Sequence, residues 1–452
     1  MIYPLRLCTN WWTSWRKRSA NRKIFGAILI IGGLTLIGKL ATLAKELIVA
    51  QQFGTSDSLD AFLIAFALPM LAINVAGGSF NASLIPRFVH TREKEGRDAA
   101  QRLLSGVLGW SIGLLICLSV LLALSGPYVV PFLGSGFGSE KLALTRSIFY
   151  FLLPVLLLSG LSTIWGSILN AEERFALAAA TPLVTPVVTA MALLLLGKRF
   201  GIYALVWGTL CGLLMEASLL AAGLRRQGYS FIPRWSRMDR SMKQVFRQYL
   251  PMAAGAFLMS GTILVDQAMA AMLGPGSVSV LNYGNKMSGF IIGISSFAMG
   301  TAVFPHFSRM VVLRDWDSVK HTLKIYARII LFFSVLVTLF LVIFSEPLIR
   351  LVFERGSFTR ADTRQVAWVQ AIYAMQLVFY MLGILFVRLI SSMKGNGVLL
   401  CSAMISLPLN ALLNYLLMKH MGVAGIALST VLVYAFALPF LSLMSFRMMK
   451  RL

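Results

Sequence analysis

The sequence predicts an all-α integral membrane protein of about twelve transmembrane helices in two parallel six-helix lobes around a central cavity. Three observations predict this class. Hydrophobic residues make up 58% of the 452 residues and charged residues only 13%. Long apolar runs recur from end to end, and the second half of the chain repeats the first. A soluble protein of this size would need more polar surface to cover its core.

Each apolar run has roughly 20 residues, enough to cross a hydrocarbon core about 30 Å thick. The expected spans are 25–51, 61–86, 103–125, 146–169, 175–197, 202–224, 248–272, 277–305, 325–345, 366–393, 397–418 and 422–446. The gaps between them are too short for a soluble domain. The expected organisation is therefore a basic tail (1–24), an N-terminal lobe (25–224), a linker (225–247) and a C-terminal lobe (248–452).

The formal net charge is +24, which in a soluble protein would suggest a nucleic-acid partner. Here the basic residues concentrate in alternate gaps, whereas the gaps at 52–60 and 273–276 hold no Lys or Arg. Positive residues of membrane proteins accumulate on the cytoplasmic side, so we expect both termini there and no nucleic-acid binding. The connection between the ninth and tenth spans is also basic and taken alone would indicate the opposite orientation. We place it outside because the remaining gaps agree with one another.

An internal repeat occurs at a spacing near 220 residues. Ile85-Pro86-Arg87-Phe88 recurs as Phe304-Pro305-His306-Phe307, and Pro127 recurs as Pro347. Because six spans return the chain to its starting side, the two copies share one orientation. Their pseudo-twofold axis then lies along the membrane normal.

Six ionisable residues fall within or at the start of the expected spans. They are Lys39, Lys45, Glu46, Asp60, Asp266 and Lys286. A charge at the centre of a bilayer costs about 2.5–3.5 kcal/mol on insertion scales, so such residues usually face a polar interior. All six belong to the first two helices of a repeat, and Glu46 and Asp266 occupy equivalent places. One water-filled cavity between the lobes is the expected location.

Several of these charges could instead have a structural role. Lys45 and Asp60 could snorkel to the membrane surface, and Lys39 and Glu46, seven residues apart, could form a structural pair. Glu216 and Arg388 lie nearer the cytoplasmic ends of their spans, where snorkelling accounts for them at least as well. Asn410 and Asn414, one turn apart, could join Asp266 in a cation site, although interhelical hydrogen bonds are the simpler role for them.

Cavity charges of both signs favour a substrate that combines a phosphate with a bulky polar part, because lysines meet anions as compact point charges. No Walker A, GxSxG or HExxH pattern is present, which disfavours an ATP-driven pump or a hydrolase. We therefore expect no enzyme activity, no bound cofactor and no metal site. Transport would draw on a coupling cation, Na⁺ or H⁺, or on the membrane potential.

Several stretches resemble the MviN/MurJ family of lipid II flippases within the multidrug/oligosaccharidyl-lipid/polysaccharide exporter superfamily. They include Gly38-Lys39-Leu40, Ala44 to Ala50, Asp60-Ala61-Phe62, Gly276 to Ser279 and Leu281 to Lys286. The likeness extends over nearly the whole chain. It implies a flippase of the bacterial inner membrane that moves undecaprenyl-pyrophosphate-linked saccharides by alternating access. Membrane lipids and envelope-glycan biosynthesis proteins would be its partners.

The resemblance also implies roles for individual residues. Lys39, Lys45 and Lys286 stand where the family has cavity arginines, and Asp60 stands at its characteristic acidic position. With Glu46, which the pattern of buried charges adds, we expect these residues to form the substrate site. Asp266, Asn410 and Asn414 resemble a cation site found in part of the family.

The chain departs from the family pattern at these lysines, and about twelve spans are visible where typical members have fourteen. The substrate is therefore left open between lipid II and a surface-polysaccharide repeat unit. A cation-coupled multidrug or small-solute exporter of the same superfamily is the alternative function.

Overall fold

The computed structural model describes residues 20–229 and 240–451, and within these ranges every regular element is a helix. Residues 1–19 of the expected basic tail and 230–239 of the expected linker lie outside them. The helices are α1 (Ala20–Phe53), α2 (Asp57–Glu95), α3 (Arg97–Leu133), α4 (Ser139–Leu152 and Pro154–Ala171), α5 (Phe175–Ala180, Thr181–Leu183 and Val184–Phe200), α6 (Ile202–Arg226), α7 (Arg240–Ala271), α8 (Ser277–Ala298, Met299–Val303 and Phe304–Val312), α9 (Trp316–Ile343 and Ser345–Phe353), α10 (Arg360–Ser392), α11 (Asn396–Met421) and α12 (Val423–Arg451).

Ten of these helices contain, within the described residues, stretches long and apolar enough to cross a membrane. The other two are α1 and α8, and they complete the expected set. Both are long enough to span, and they also carry polar residues: Lys39, Lys45 and Glu46 in α1, and two asparagines with Lys286 in α8. The predicted membrane fold is confirmed.

Helix pairing repeats in the two halves of the chain. α1 packs on α5 as α7 packs on α11, and α2 packs on α4 as α8 packs on α10. Likewise α4 and α5 both pack on α6, as α10 and α11 both pack on α12. This shared pattern is the structural form of the sequence repeat and confirms a two-lobed fold.

Prolines mark the irregular points within three helices. α4 is divided where Pro154 begins its second segment, and α5 tightens to a 3₁₀ turn around Pro182. In α8 a π turn at Met299–Val303 precedes Pro305. Proline cannot donate the backbone hydrogen bond that a regular helix needs at that position, so the helix yields there.

Successive helices place their turns at two opposite ends of the bundle. The end called here the basic end holds the turns after α2, α4, α8 and α10, where Arg97, Arg174, Arg314 and Lys394 lie. The opposite end, called here the closed end, holds the turns at 54–56, 134–138, 272–276 and 354–359.

A short helix, the second segment of α9, was not expected and lies in the basic connection at the closed end. Arg350 Nη2 lies 2.8 Å from Glu346 Oε1, and its Nε lies 3.7 Å from Glu354 Oε2. These ion pairs offset part of the local positive charge. They show how a connection with several arginines can lie opposite the basic end.

Backbone contacts between the two halves seal the closed end. The Ser357 amide donates to the Gln51 carbonyl at 2.8 Å, and its hydroxyl donates to the Gln52 carbonyl at 3.0 Å. Gly356 has φ +57°, and a Cβ there would overlap the Gln51 carbonyl oxygen. Only glycine combines this backbone conformation with so close an approach. The 354–359 turn therefore lies directly on the junction of α1 and α2.

Candidate functional site

A cavity of about 530 Å³ lies between the two halves. Helices α1, α2, α5 and α6 form one wall, and α7 and α8 form the other. The wall mixes apolar side chains with neutral hydrogen-bonding groups such as those of Asn74, Gln267 and Asn282. Such a surface can bind a polar, uncharged molecule while its apolar parts exclude water.

Three of the predicted substrate residues meet in this cavity. Lys45 Nζ lies 2.6 Å from Glu46 Oε1, and Lys286 Nζ lies 3.1 Å from Glu46 Oε2. The side chains of Lys45, Glu46 and Lys286 are 23%, 13% and 30% exposed, so each keeps a face on the cavity. This charge triad (Lys45, Glu46 and Lys286) joins α1 to α8 across the interface and carries one net positive charge.

Lys39 lies on the same helix but outside the lining of the cavity. Its side chain is exposed. Its Nζ lies beside Gly293 of α8, 3.8 Å from the position that a Cβ on this glycine would take. Lys39 therefore faces α8 nearer the basic end than the charge triad does.

Asp60 is fully buried and does not line the cavity, which corrects the expectation of one cavity for all six charges. It accepts from the Gly276 amide at 2.8 Å and from the Ser279 amide and hydroxyl at 2.8 and 2.6 Å. Lys141 Nζ donates to it at 2.9 Å. The carboxylate thus caps the amino end of α8, where free amides and the helix dipole favour negative charge.

Asp266 is also absent from the cavity lining and lies inside the C-terminal half. Asn410 and Asn414 each donate an amide hydrogen to Asp266 Oδ1, at 3.0 and 2.7 Å. Thr430 donates its hydroxyl to Oδ2 at 3.3 Å. The structure therefore brings the three predicted cation-site residues together and adds Thr430, for which no sequence signal was present. Their cation-binding role stays a prediction.

Glu216 lines the cavity, although its position near a helix end had suggested snorkelling. Its Oε2 accepts from the Thr185 hydroxyl at 2.6 Å. Ten residues separate it from Arg226 at the basic end of α6, about 15 Å along the helix. A glutamate side chain is too short to reach the membrane surface from that depth. The spacing between Glu216 and Arg226 could have shown this from the sequence.

The positions of two further basic side chains, Lys141 and Arg388, depend on contacts between helices that the sequence does not show. Lys141 lies in the first turn of α4 and contacts both Asp57 and Asp60, a pairing between residues more than 80 positions apart. Arg388 turns its guanidinium toward α8, where Nη2 donates to the Ser296 carbonyl at 3.4 Å. Arg388 lies outside the lining of the cavity.

The model of a family described as "Lipid II flippase MurJ" matches residues 49–451. The chain belongs to the lipid II flippase MurJ family. It is 26% identical over 424 residues to a lipid II flippase MurJ from Burkholderia cenocepacia, covering 90% of this chain and 80% of that one. Members of this family are flippases, a class of transporter rather than enzymes, and are multi-pass proteins of the bacterial inner membrane.

Solved structures show the same fold. A lipid II flippase MurJ in an inward closed conformation superposes with a TM-score of 0.80 at 22% identity, covering 92% of this chain and 87% of that one. A multidrug resistance MATE family transporter in an inward-facing conformation superposes with a TM-score of 0.77 at 14% identity, covering 93% and 99%. At these identities the likeness establishes the fold alone.

Proposed function

We propose that this protein moves lipid II, an undecaprenyl-pyrophosphate-linked saccharide, across the bacterial inner membrane by alternating access. The charge triad between the two halves carries this proposal. Two lysines that line the cavity share one carboxylate, so each retains unused donor capacity. A pyrophosphate entering the cavity can take those donors while Glu46 keeps the lysines apart and oriented.

The rest of the cavity suits the saccharide. Asn74, Gln267 and Asn282 offer amide donors and acceptors that match sugar hydroxyls. Apolar residues such as Phe66 and Ile263 lie between them and can stack against the faces of sugar rings. This lining favours a polyhydroxylated cargo over the small apolar solutes expected for a multidrug exporter.

The two ends of the bundle suggest how access alternates. We assign the basic end and both termini to the cytoplasm, because positive residues concentrate there. The closed end then faces the periplasm. Opening it requires Asp60 to release the amino end of α8 and Ser357 to leave the α1–α2 junction. Each contact joins the two halves by hydrogen bonds that a rocking motion can break and remake.

A cation at Asp266 is the proposed source of coupling. Asn414 Oδ1 is buried and has no hydrogen-bond partner among the described residues, so an oxygen ligand stands free beside the carboxylate. Hard cations such as Na⁺ prefer carboxylate and carbonyl oxygens. Protonation of Asp266 is the other form this coupling can take.

Complementation tests the proposed cargo. The full chain is expressed in bacteria depleted of their own lipid II flippase, with the Lys286→Ala variant as the matched negative control. We expect the wild-type chain to restore growth and the variant to fail at equal membrane abundance. A well-inserted wild-type chain that does not restore growth would exclude lipid II and direct the search to surface-polysaccharide repeat units.

A further inference from the structure

We infer that Glu216 and Thr185 form a second subsite of the cavity that binds an ammonium group on the polar part of the cargo. This subsite rests on the proposed function and extends it, because it specifies a charge that the cargo must carry. Glu216 is placed at the wall formed by α5 and α6, whereas the charge triad lies between α1 and α8. The two regions have opposite charge and share one cavity.

The two regions differ in depth as well as in charge. Lys286 lies nine positions from Ser277 at the closed end of α8, about 14 Å along the helix. Glu216 lies fourteen positions from Ile202 at the closed end of α6, about 21 Å along that helix. The carboxylate is thus roughly 7 Å nearer the basic end than the lysines. A cargo that spans both must present its anion toward the closed end and its cation toward the basic end.

The surroundings of Glu216 leave it available to a ligand. Its described hydrogen-bond partner is a neutral hydroxyl, that of Thr185, and no lysine or arginine among the described residues lies within ion-pair distance. Glu46, by contrast, already contacts two lysines. A partly buried carboxylate without a cation is costly, and that cost favours binding of a group that supplies one.

Thr185 fixes the direction of the carboxylate. It lies one residue before Pro186 in the segment of α5 that follows the 3₁₀ turn, and both residues line the cavity. By donating to Oε2, its hydroxyl leaves Oε1 as the acceptor that can face the cavity. An ammonium group has three donors, so it can bind Glu216 and still reach a neighbouring neutral acceptor.

Binding of a matched pair of ligands tests this subsite. The full chain is reconstituted in lipid nanodiscs and titrated with an undecaprenyl-pyrophosphoryl saccharide that carries one primary amine on its polar part. The same compound with that amine acetylated is the matched neutral probe. The variants are Glu216→Gln and, as a control, Glu93→Gln, which changes an exposed carboxylate at the basic end of α2.

We expect wild-type protein and Glu93→Gln to bind the amine form about tenfold more tightly than the acetylated form. Glu216→Gln should lose this preference and still bind the acetylated form as wild type does, which also shows that the variant is folded. The inference is overturned if wild type shows no preference, if Glu216→Gln retains it, or if the variant weakens both forms equally. Failure of wild type to bind either form would instead overturn the proposed function.

Discussion

Glu46 and Asp266 occupy equivalent places in the two repeats, but their surroundings have diverged. Glu46 lies at the interface between the halves and contacts Lys45 and Lys286. Asp266 lies inside one half and is held by the neutral side chains of Asn410, Asn414 and Thr430. The charge of Glu46 is neutralised by two lysines, whereas the described partners of Asp266 are uncharged hydrogen-bond donors.

This difference assigns the two carboxylates different tasks. A carboxylate that already has two lysines gains little from a further cation, so Glu46 is suited to orient those lysines toward an anion. A buried carboxylate with neutral partners is destabilised in its charged form, and a bound cation relieves that penalty. The repeat thus places two carboxylates at one depth, and their neighbours suit one to the proposed cargo site and the other to the proposed coupling site.

The largest expected effect comes from removing the ion pair between Lys286 and Glu46. Lys286→Ala removes the contact between α1 and α8 and leaves Glu46 with Lys45 alone. We expect flippase activity in complementation to fall at least about tenfold, since a charge-assisted contact to an anion contributes roughly 1.5–3 kcal/mol. Growth of the depleted strain at graded expression measures the loss.

Arg388→Ala is the matched control for this prediction. It also removes a cation from the C-terminal half, but Arg388 contacts the Ser296 carbonyl and lies outside the cavity lining. We expect at most a small loss of activity. Equal loss in the two variants at equal abundance would contradict the assignment of Lys286 to the cargo.

The second effect isolates Asp266. If Asp266 binds Na⁺, the salt raises the midpoint of thermal unfolding, because a ligand at a hundred times its Kd stabilises by about 2.7 kcal/mol. Asp266→Asn should abolish that Na⁺-dependent rise, measured against choline at equal ionic strength. Glu46→Gln, the same change at the equivalent place, should retain it. A Na⁺ response lost in Glu46→Gln and kept in Asp266→Asn would reverse the proposed division.

The sequence predicted the helices, because apolar runs of this length are conspicuous. It also placed Lys45, Glu46 and Lys286 in the cavity, but in one group with Lys39, Asp60 and Asp266, which lie outside its lining. It also predicted that Asp266, Asn410 and Asn414 come together. It did not separate Asp60 from the cavity, since burial against the amino end of α8 depends on how the two halves close. Lys141 was missed for the same reason, as its partners lie in another helix.

The proposed alternating access treats the two carboxylates differently, because Glu46 lies at the interface that it separates and Asp266 lies inside one half. Gly356→Ala places a Cβ against the Gln51 carbonyl and should shift the protein toward opening at the closed end. Val278→Cys, fully buried there, reports the opening by its reaction with an impermeant maleimide after the native cysteines are replaced by serine. We expect labelling to rise several-fold.

Gly201→Ala is the control for strain alone. Its φ of +54° matches that of Gly356, but nothing lies within 4 Å of the position its Cβ would take. Both variants carry the same backbone penalty of about 1 kcal/mol, and only one pushes the halves apart. Labelling that rises equally in both would show that the Gly356 contact does not hold the closed end.

The smallest expected effect tests how much one neutral partner of Asp266 contributes to Na⁺ binding. Thr430→Val removes a hydroxyl that donates to Oδ2 at 3.3 Å, the longest of the three contacts. A hydrogen bond to a charged group contributes roughly 1.5–3 kcal/mol at ordinary length, and this long one contributes at the lower end, so the Na⁺-dependent rise should shrink without disappearing. Thr42→Val makes the same change in α1, where the described hydrogen bond of the hydroxyl goes to the Gly38 carbonyl of the same helix, and should leave that rise intact. A full loss in Thr430→Val would make this hydroxyl a ligand of the cation rather than a support for the carboxylate.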